Sequence, residues 1–470
     1  MNNTPQGCSE KSGYSKSGYS TARKGGRLLA CLVAAGLLAV NAGSAQTYAT
    51  PYAFSTIAGT PGNKGNTDGT NSAASFSYPY AMALGTNGLL FTVDASANTV
   101  RQVAPIGTNW VVTTIAGTAG VAGSTDGTNG AALFNEPAGI AADGAGNLYV
   151  VDANNTVRKL KPVGTNWVSS TIAGTAGLYG PNDGANAAAR FDQPSGIAAD
   201  AAGNLYVADT ANDTIRRVAP SGTNWIVTTI AGDASLGFSG SLSGGSADGT
   251  NESAGFASPN SLTVDHSGNL FVSDTANYTI RKITPVGTNW VVTTIAGTAS
   301  NYGFVDDTNG AAEFDLPQGI VVDASDNVYV ADTGNNVIRK VSPVGTNWVV
   351  TTLAGDAGGN SGANDGTGSS AQFNSPWGIT VNAAGELFVA DTGNNDIRAG
   401  IIATVPNPVI SLNVLGGVTV SWPGFGVLQT NADLSTSNWG TYGGAVSANN
   451  GTNSVAFPLL TSRLFFRLTN

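Results

Sequence analysis

Residues 194–216, PSGIAADAAGNLYVADTANDTIR, decide the fold, because variants of this segment recur six times along the chain. The segment holds three short apolar or β-branched runs separated by Gly, Asn and Asp, the pattern of strands joined by hairpins. A fourth run, WIVTTI at residues 225–230, follows one further turn. Each unit is therefore predicted to be a four-stranded antiparallel sheet.

Four residues recur at fixed spacing in every unit: an Asp in a loop, Phe eight residues later, Pro three further and a second Asp fifteen further. The loop Asp is Asp68, Asp126, Asp183, Asp248, Asp306 or Asp365. The second Asp, at the end of the second strand, is Asp94, Asp152, Asp209, Asp274, Asp332 or Asp391. Six four-stranded units in tandem predict an all-β, six-bladed β-propeller.

The two ends of the array predict ring closure. The last unit stops after its third strand, at Arg398, whereas the others continue into a fourth strand that ends in Thr-Ile-Ala-Gly or its Leu variant. An extra copy, STIAG at residues 55–59, precedes the first unit. We expect this N-terminal strand to complete the last blade, which would leave no open edge between the first and last blades.

The segments outside the repeats have a different character. Residues 1–45 combine basic residues, an apolar run at 28–40 and small residues before Gln46, which predicts a signal peptide. Residues 46–404 would form the propeller, and residues 405–470 predict a small C-terminal β-sandwich-like module. We expect a secreted, extracellular or cell-surface protein without a membrane span, because the apolar run is shorter than the roughly 20 residues that a bilayer requires.

Composition limits the partners. The chain has a formal net charge of −10, and without residues 1–45 it would keep 15 basic and 29 acidic residues, a net charge of −14. Such acidity argues against nucleic acid as a partner. Cys8 and Cys31 would be removed with the signal peptide, so no disulfide is expected. We predict a monomer.

The repeat unit resembles the NHL repeat. The resemblance is carried by Pro-x-Gly-Ile, by Gly-Asn-Leu-Tyr-Val-Ala-Asp-Thr-x-Asn and by Ile-Arg within residues 194–216, and six units match in register. It implies a six-bladed propeller of the group that includes TolB-like propellers and gluconolactonase-like enzymes. It leaves the function open, because the family spans binding scaffolds and a few enzymes.

Positions that differ between repeats are the candidates for function. The residue after the recurrent Pro begins the innermost strand, and these six residues are expected to ring the channel mouth: Tyr80, Ala138, Ser195, Asn260, Gln318 and Trp377. The predicted ligand-binding residues are Tyr80, Asn260, Gln318, Trp377, Asp274, Asp332 and Asp391. A Gly/Ser-rich insertion at residues 233–249 is either a flap over this site or a tolerated insertion. Drift at an exposed position explains the variable ring equally well.

Residues present in every repeat are assigned mainly to the scaffold. The carboxylates of Asp126, Asp183, Asp248, Asp306 and Asp365 are weak calcium candidates, since calcium prefers such oxygens. Their recurrence favours Asp residues that cap their own turns. The recurrent Arg, from Arg101 to Arg398, is expected to form an exposed pair with the strand-end Asp, worth about 0–1 kcal/mol. Five Trp residues, from Trp110 to Trp348, are expected to cover blade edges rather than stack on sugars.

The sequence contains no recognisable catalytic constellation. His266 is the only histidine and lies in a predicted turn, so we name no catalytic residue and no cofactor, with calcium left open. We predict a non-enzymatic binding scaffold for a protein or glycan, which would bind through the face that carries the Asp loops. The alternatives are a calcium-dependent hydrolase or lactonase of the gluconolactonase-like group and a passive cell-surface spacer.

Overall fold

The computed structural model describes residues 51–234 and 245–403 and, between residues 409 and 469, seven strands. Residues 51–234 and 245–403 form a six-bladed β-propeller, as predicted. The predicted signal peptide, residues 1–45, lies outside the described residues, as do residues 235–244 of the predicted flap.

Each blade contains four antiparallel strands, numbered here from the channel outward. The first strands are Pro79–Leu84, Pro137–Ala142, Pro194–Ala199, Pro259–Val264, Pro317–Val322 and Pro376–Val381. The second strands are Leu90–Asp94, Leu148–Asp152, Leu205–Asp209, Leu270–Asp274, Val328–Asp332 and Leu387–Asp391. The third strands are Thr99–Ile106, Thr156–Val163, Thr214–Ser221, Thr279–Val286, Val337–Val344 and Asp396–Ile402. The outer strands are Asn109–Ala116, Asn166–Gly174, Asn224–Ala231, Asn289–Ala296, Asn347–Ala354 and, for the last blade, Tyr52–Ala58.

Short elements complete the blades. Five blades gain a two-residue edge strand, at Gly69–Thr70, Gly127–Thr128, Gly184–Ala185, Gly249–Thr250 and Gly366–Thr367. A 3₁₀ helix follows at Asn71–Ala73, Asn129–Ala131, Asn186–Ala188, Asn251–Ser253, Asn309–Ala311 and Gly368–Ser370. Further 3₁₀ helices lie at Thr86–Gly88, Thr210–Asn212, Thr275–Asn277, Thr333–Asn335 and Thr392–Asn394. Every helix in the described part of the chain has three residues, and none could cross a membrane.

The core lies between neighbouring blades. All five residues of each second strand are buried, because each of these strands packs on both of its faces against an adjacent blade. The tight corner after each outer strand requires glycine. Gly117 has φ +93°, and a Cβ there would lie 2.4 Å from the carbonyl oxygen of Asn98.

The N-terminal strand closes the ring as predicted. Tyr52–Ala58 pairs antiparallel with Asp396–Ile402, opposite Ile402 at one end and Ile397 at the other. Phe54 on this strand is buried and packs edge-to-face on Phe373 at a centroid distance of 5.0 Å. The last blade therefore shares its core with the first segment of the propeller.

The described strands of the C-terminal segment form two antiparallel sheets. One sheet contains Val409–Leu412, Val418–Pro423, Thr452–Phe457 and Ser447–Asn449, in that spatial order. The other contains Gly440–Thr441, Val427–Asn431 and Phe465–Thr469. These strands agree with the prediction of a β module after the propeller.

Candidate functional site

The outer-to-inner loops and the turns between second and third strands share one face, which we call the Asp-loop face. Three backbone hydrogen bonds show the relationship: Gly62 donates to Asn394, Gly120 to Ala97 and Gly177 to Asn154, at 2.8–3.1 Å. Both series of recurrent Asp therefore lie at this end of the propeller, as the sequence predicted.

The recurrent residues form one repeated cluster within each blade. In the fourth blade, Arg281 donates to Asp274 at 2.6 Å and to Asp248 at 3.1 Å. It also donates to two backbone carbonyls, at 2.8 and 3.0 Å, and lies 5.0 Å from the ring centroid of Phe256. The expectation of an exposed pair is wrong, because Arg281 and Asp274 are fully buried between blades.

The strand-end carboxylates proposed as ligand-binding residues belong to these clusters. The side chains of Asp274, Asp332 and Asp391 are fully buried, and each accepts from the Arg of its own blade. A ligand at the channel mouth would have to break a buried ion pair to reach them. We therefore assign these three residues to the scaffold.

The loop carboxylates are occupied in a similar way. Each calcium candidate pairs with the Arg of its blade, at 2.7–3.1 Å; the residues are Asp126, Asp183, Asp248, Asp306 and Asp365. Asp248 also accepts from the backbone and the hydroxyl of Thr294, both at 2.8 Å. Within the described ranges, no three Asp, Glu, His or Cys side chains meet in an arrangement that could hold a metal ion.

The recurrent Trp residues also lie in the scaffold. Each packs edge-on against an aromatic residue on the second strand of the neighbouring blade, at centroid distances of 5.6–6.0 Å. Trp110 of the first blade meets Phe388 of the last blade and so contributes to closure. His266 is exposed in the turn that follows Asp265.

The variable ring lies at the channel mouth. Tyr80 and Trp377 stack at a centroid distance of 3.9 Å, and Trp377 Nε1 donates to Asn260 Oδ1 at 3.2 Å. Trp377 thereby connects the sixth blade to the fourth. Gln318 in the intervening blade is buried, and its Oε1 has no hydrogen-bond partner among the described residues. The structure thus brings Tyr80, Asn260 and Trp377 together.

A cavity of about 580 Å³ opens beside this ring on the Asp-loop face, and we call it the face cavity. Its lining includes Tyr80, Ala138, Ser195 and Asn260, which also line a small cavity of about 50 Å³ in the central channel. Ser195 donates to the backbone carbonyl of Asn260 at 2.8 Å. The face cavity therefore meets the channel at the variable ring.

The face cavity lies where a recurrent link between blades is missing. In four blades a Thr after the strand-end Asp donates its hydroxyl to the carbonyl of the next blade's Pro, at 2.6–2.8 Å: Thr210, Thr275, Thr333 and Thr392. The first blade has Ala95 at this position, and the second blade has a turn one residue shorter, which begins with Ala153. Both alanines line the cavity.

A second variable ring was missed from the sequence. The residue before each recurrent Pro is of five different types in the six repeats and has a positive φ of 43–64°: Tyr78, Glu136, Gln193, Ser258, Leu316 and Ser375. Tyr78, Glu136 and Gln193 line the face cavity and are exposed. The variation in residue type at this position is visible in the same comparison of the repeats, one residue before the Pro instead of one residue after it. Because all six repeats share this conformation, the backbone geometry belongs to the scaffold, and the variation lies in the side chains that it presents.

The electrostatic character of the face cavity comes from few groups. Of the described residues in its lining, Glu136 alone carries a charged side chain. Burial, and secondarily the charge of Glu136, raise the pKa of the Tyr80 phenol well above its usual value. Tyr80 therefore remains a neutral hydrogen-bond donor over the physiological range. The lining combines aromatic surface, hydroxyl and amide groups and one carboxylate, which suits recognition of a ligand.

A larger cavity of about 750 Å³ lies elsewhere, at the seam between the N-terminal strand and the first blade. Its lining includes Thr56, Trp110 and Asp365. Asp365 pairs with Arg398 and accepts from Thr56, and Trp110 packs on Phe388, so these residues serve the scaffold. We place the candidate site in the face cavity, where the departures from the repeat pattern converge.

Comparison with protein families supports the repeat assignment. The Teneurin NHL domain matches residues 243–342, and the NHL repeat matches residues 191–217 and 373–399. NHL repeat-containing protein 2 of Bos taurus is 30% identical over 306 residues, which cover 59% of this chain and 40% of that protein. Protein SUPPRESSOR OF QUENCHING 1, chloroplastic, of Arabidopsis thaliana is 27% identical over 285 residues, which cover 48% of this chain and 26% of that protein. The chain thus spans less than half the length of these relatives.

Solved structures share the architecture. An auxiliary nutrient binding protein from Bacteroides ovatus aligns with a TM-score of 0.55 at 16% identity, covering 76% of this chain and 78% of that chain. A protein of unknown function from Bacteroides thetaiotaomicron aligns with a TM-score of 0.54 at 23% identity, covering 75% and 76%. At these identities the likeness shows the fold alone. The repeat matches and the six closed blades together identify the chain as an NHL-repeat β-propeller protein.

Proposed function

We propose that the protein is a non-enzymatic binding scaffold whose ligand occupies the face cavity. One observation carries the proposal: three departures from the repeat pattern converge there. They are the missing Thr link at Ala95 and Ala153, the variable residues after the Pro, and the variable residues before it. A constant frame around a variable, concave surface is typical of recognition sites.

The geometry favours binding over catalysis. The titratable side chains that line the face cavity are Tyr78, Tyr80 and Glu136. Hydrolysis of a lactone by the alternative, calcium-dependent mechanism would need carboxylate and amide ligands that converge at the channel mouth, for which the candidates are Asn260, Gln318, Asp274, Asp332 and Asp391. The three Asp side chains hold buried Arg side chains instead. The described residues therefore give the lactonase alternative no specific support.

A binding role has a precedent on this architecture, since the Bacteroides ovatus structure is described as an auxiliary nutrient binding protein. For this chain the ligand classes remain those expected from the sequence, a protein or a glycan. Export through residues 1–45 and a monomeric state belong to the same proposal. N-terminal mass analysis and light scattering on the exported protein would check them.

A paired panel experiment tests the proposal. Immobilised peptides and glycans are probed with the wild-type protein, and every binder is retested with Ala95→Thr and Ala384→Thr. The first substitution restores the Thr of other blades and narrows the face cavity. The second adds the same atoms in an exposed turn between a first and a second strand, at the opposite end of the blade. Binders lost only with Ala95→Thr support the proposal, whereas binders that all persist contradict it.

A further inference from the structure

We propose that the face cavity recognises a guanidinium group, presented by an arginine of a basic peptide. This inference rests on the proposed function and names the ligand chemistry of the same cavity. The supporting observations are an unpaired carboxylate, two exposed or partly exposed aromatic rings and a lining that contains no Lys or Arg among the described residues.

The carboxylate of Glu136 is unpaired. Its backbone N–H donates to Asn98 at 2.8 Å, but within the described part of the chain its side chain has no hydrogen bond and no ion pair. The contrast with the scaffold is clear, because each loop Asp and strand-end Asp faces a buried Arg. Glu136 is therefore the one negative charge of the face cavity that is available to a ligand.

The aromatic wall next to Glu136 can accept a cation. Lys64 Nζ lies 4.7 Å from the ring centroid of Tyr78, so a positive charge already occupies one face of a ring in this wall. Tyr80 lies between Trp377, on which it stacks, and the cavity. A planar guanidinium can stack on such a ring and donate two parallel hydrogen bonds to a carboxylate.

The remaining lining favours a cation over an anion. Among the residues that the structure describes, no Lys or Arg lines the face cavity, and the full sequence has a net charge of −10. The acidic surface would attract basic segments from solution. Ser195, Gln193 and Asn260 offer hydroxyl and amide groups for the backbone of a peptide, and about 580 Å³ accommodates more than one side chain.

Calorimetric titration of two matched peptides tests the inference. A tetra-arginine peptide carries guanidinium groups, and a tetra-citrulline peptide replaces them with neutral ureas of nearly the same shape. The protein is used as wild type, as Glu136→Gln and as Glu252→Gln. Glu252 is an exposed carboxylate on the short helix Asn251–Ser253, so its substitution makes the same change in net charge outside the cavity.

We expect the wild type to bind tetra-arginine at least about ten-fold more tightly than tetra-citrulline, the scale of a charge-assisted hydrogen bond. Glu136→Gln should weaken tetra-arginine binding by about the same factor, and Glu252→Gln by less than about two-fold. Equal affinity for both peptides, equal effects of the two variants or no binding of tetra-arginine would overturn the inference. If a neutral panel ligand is nevertheless lost with Ala95→Thr, the guanidinium assignment fails while the binding scaffold stands.

Discussion

Arg281 Nη1 lies 2.6 Å from Asp274 Oδ2, and both side chains are fully buried between blades. The same guanidinium reaches Asp248, whose side chain is 50% exposed. One arginine therefore joins a buried carboxylate and a surface loop, and the corresponding Arg contacts both carboxylates in every blade. The two carboxylates should differ strongly in their contribution to stability.

Substitution of the two partners of Arg281 tests this difference. Asp274→Asn should lower the free energy of unfolding by about 3–5 kcal/mol, because it leaves a buried guanidinium without its charged partner. Asp248→Asn should lower it by about 1 kcal/mol or less, because solvent screens the half-exposed pair. Chemical denaturation of both variants measures the two values. Equal losses would show that burial does not govern the cluster.

Closure of the ring predicts a dependence on the N-terminal strand. Phe54→Ala should lower the free energy of unfolding by about 3–5 kcal/mol, because the buried ring packs on Phe373 in the last blade. Ser55→Ala, at the adjacent exposed position, should change it by less than about 0.5 kcal/mol. Deletion of residues 46–60 should lower the melting temperature by several degrees. An unchanged melting curve for Phe54→Ala would contradict closure.

The last blade also contains a buried carboxyl that the other blades lack. Asp396 lies opposite Asp391, at the position of Thr99, Thr156, Thr214 and Thr279, and neither of its carboxyl oxygens has a hydrogen-bond partner among the described residues. Burial and the charge of Asp391 raise its pKa to about 8, against the opposing effect of Arg398. The folded state therefore binds a proton that the unfolded state releases near pH 4.

This arrangement predicts that stability falls as pH rises from about 4 to 8. Over that range the unfolded chain loses the proton of Asp396 while the folded state holds it, and each unit of pKa difference corresponds to about 1.4 kcal/mol. Asp396→Thr should remove this component and stabilise the protein more at pH 8.5 than at pH 5. Denaturant midpoints of variant and wild type at both pH values measure the effect. A gain independent of pH would contradict it.

The missing link between the first and second blades gives a further prediction. Ala95→Thr should raise the free energy of unfolding by about 0.5–1.5 kcal/mol, the net value of one hydrogen bond, because the hydroxyl can reach the carbonyl of Pro137 as Thr275 reaches that of Pro317. Ala384→Thr, in an exposed turn, should have no such effect. Chemical denaturation compares the two variants. A loss of stability in Ala95→Thr would show that the cavity wall cannot accept the hydroxyl.

Much of the propeller could be predicted from the sequence, because aligning the six repeats with one another gives the position of each strand in every blade. Residues 55–59 copy the end of an outer strand, so the sequence alone indicates the closing strand. The burial of Arg281 could not be predicted in this way. Its spacing from Asp274 indicates a hairpin neighbour, whereas its burial depends on the adjacent blade and on the ring of Phe256.

The candidate site was harder to predict from the sequence, because it also depends on contacts between adjacent blades. The variable residues after the Pro were visible, and Tyr80, Asn260 and Trp377 do meet. The replacement of Thr by Ala95 was equally visible, but its meaning depends on a hydrogen bond from one blade to the next. Contacts of this kind join residues more than 40 positions apart, as from Thr275 to Pro317, and a comparison within one repeat does not contain them.

The measurement that bears most directly on the central claim is the crystal structure of the protein bound to a ligand from the panel. The account predicts that the ligand lies in the face cavity, in contact with Tyr80, Glu136 and Asn260. A ligand bound in the seam cavity beside Thr56 and Trp110, or at the opposite end of the blades, would contradict it.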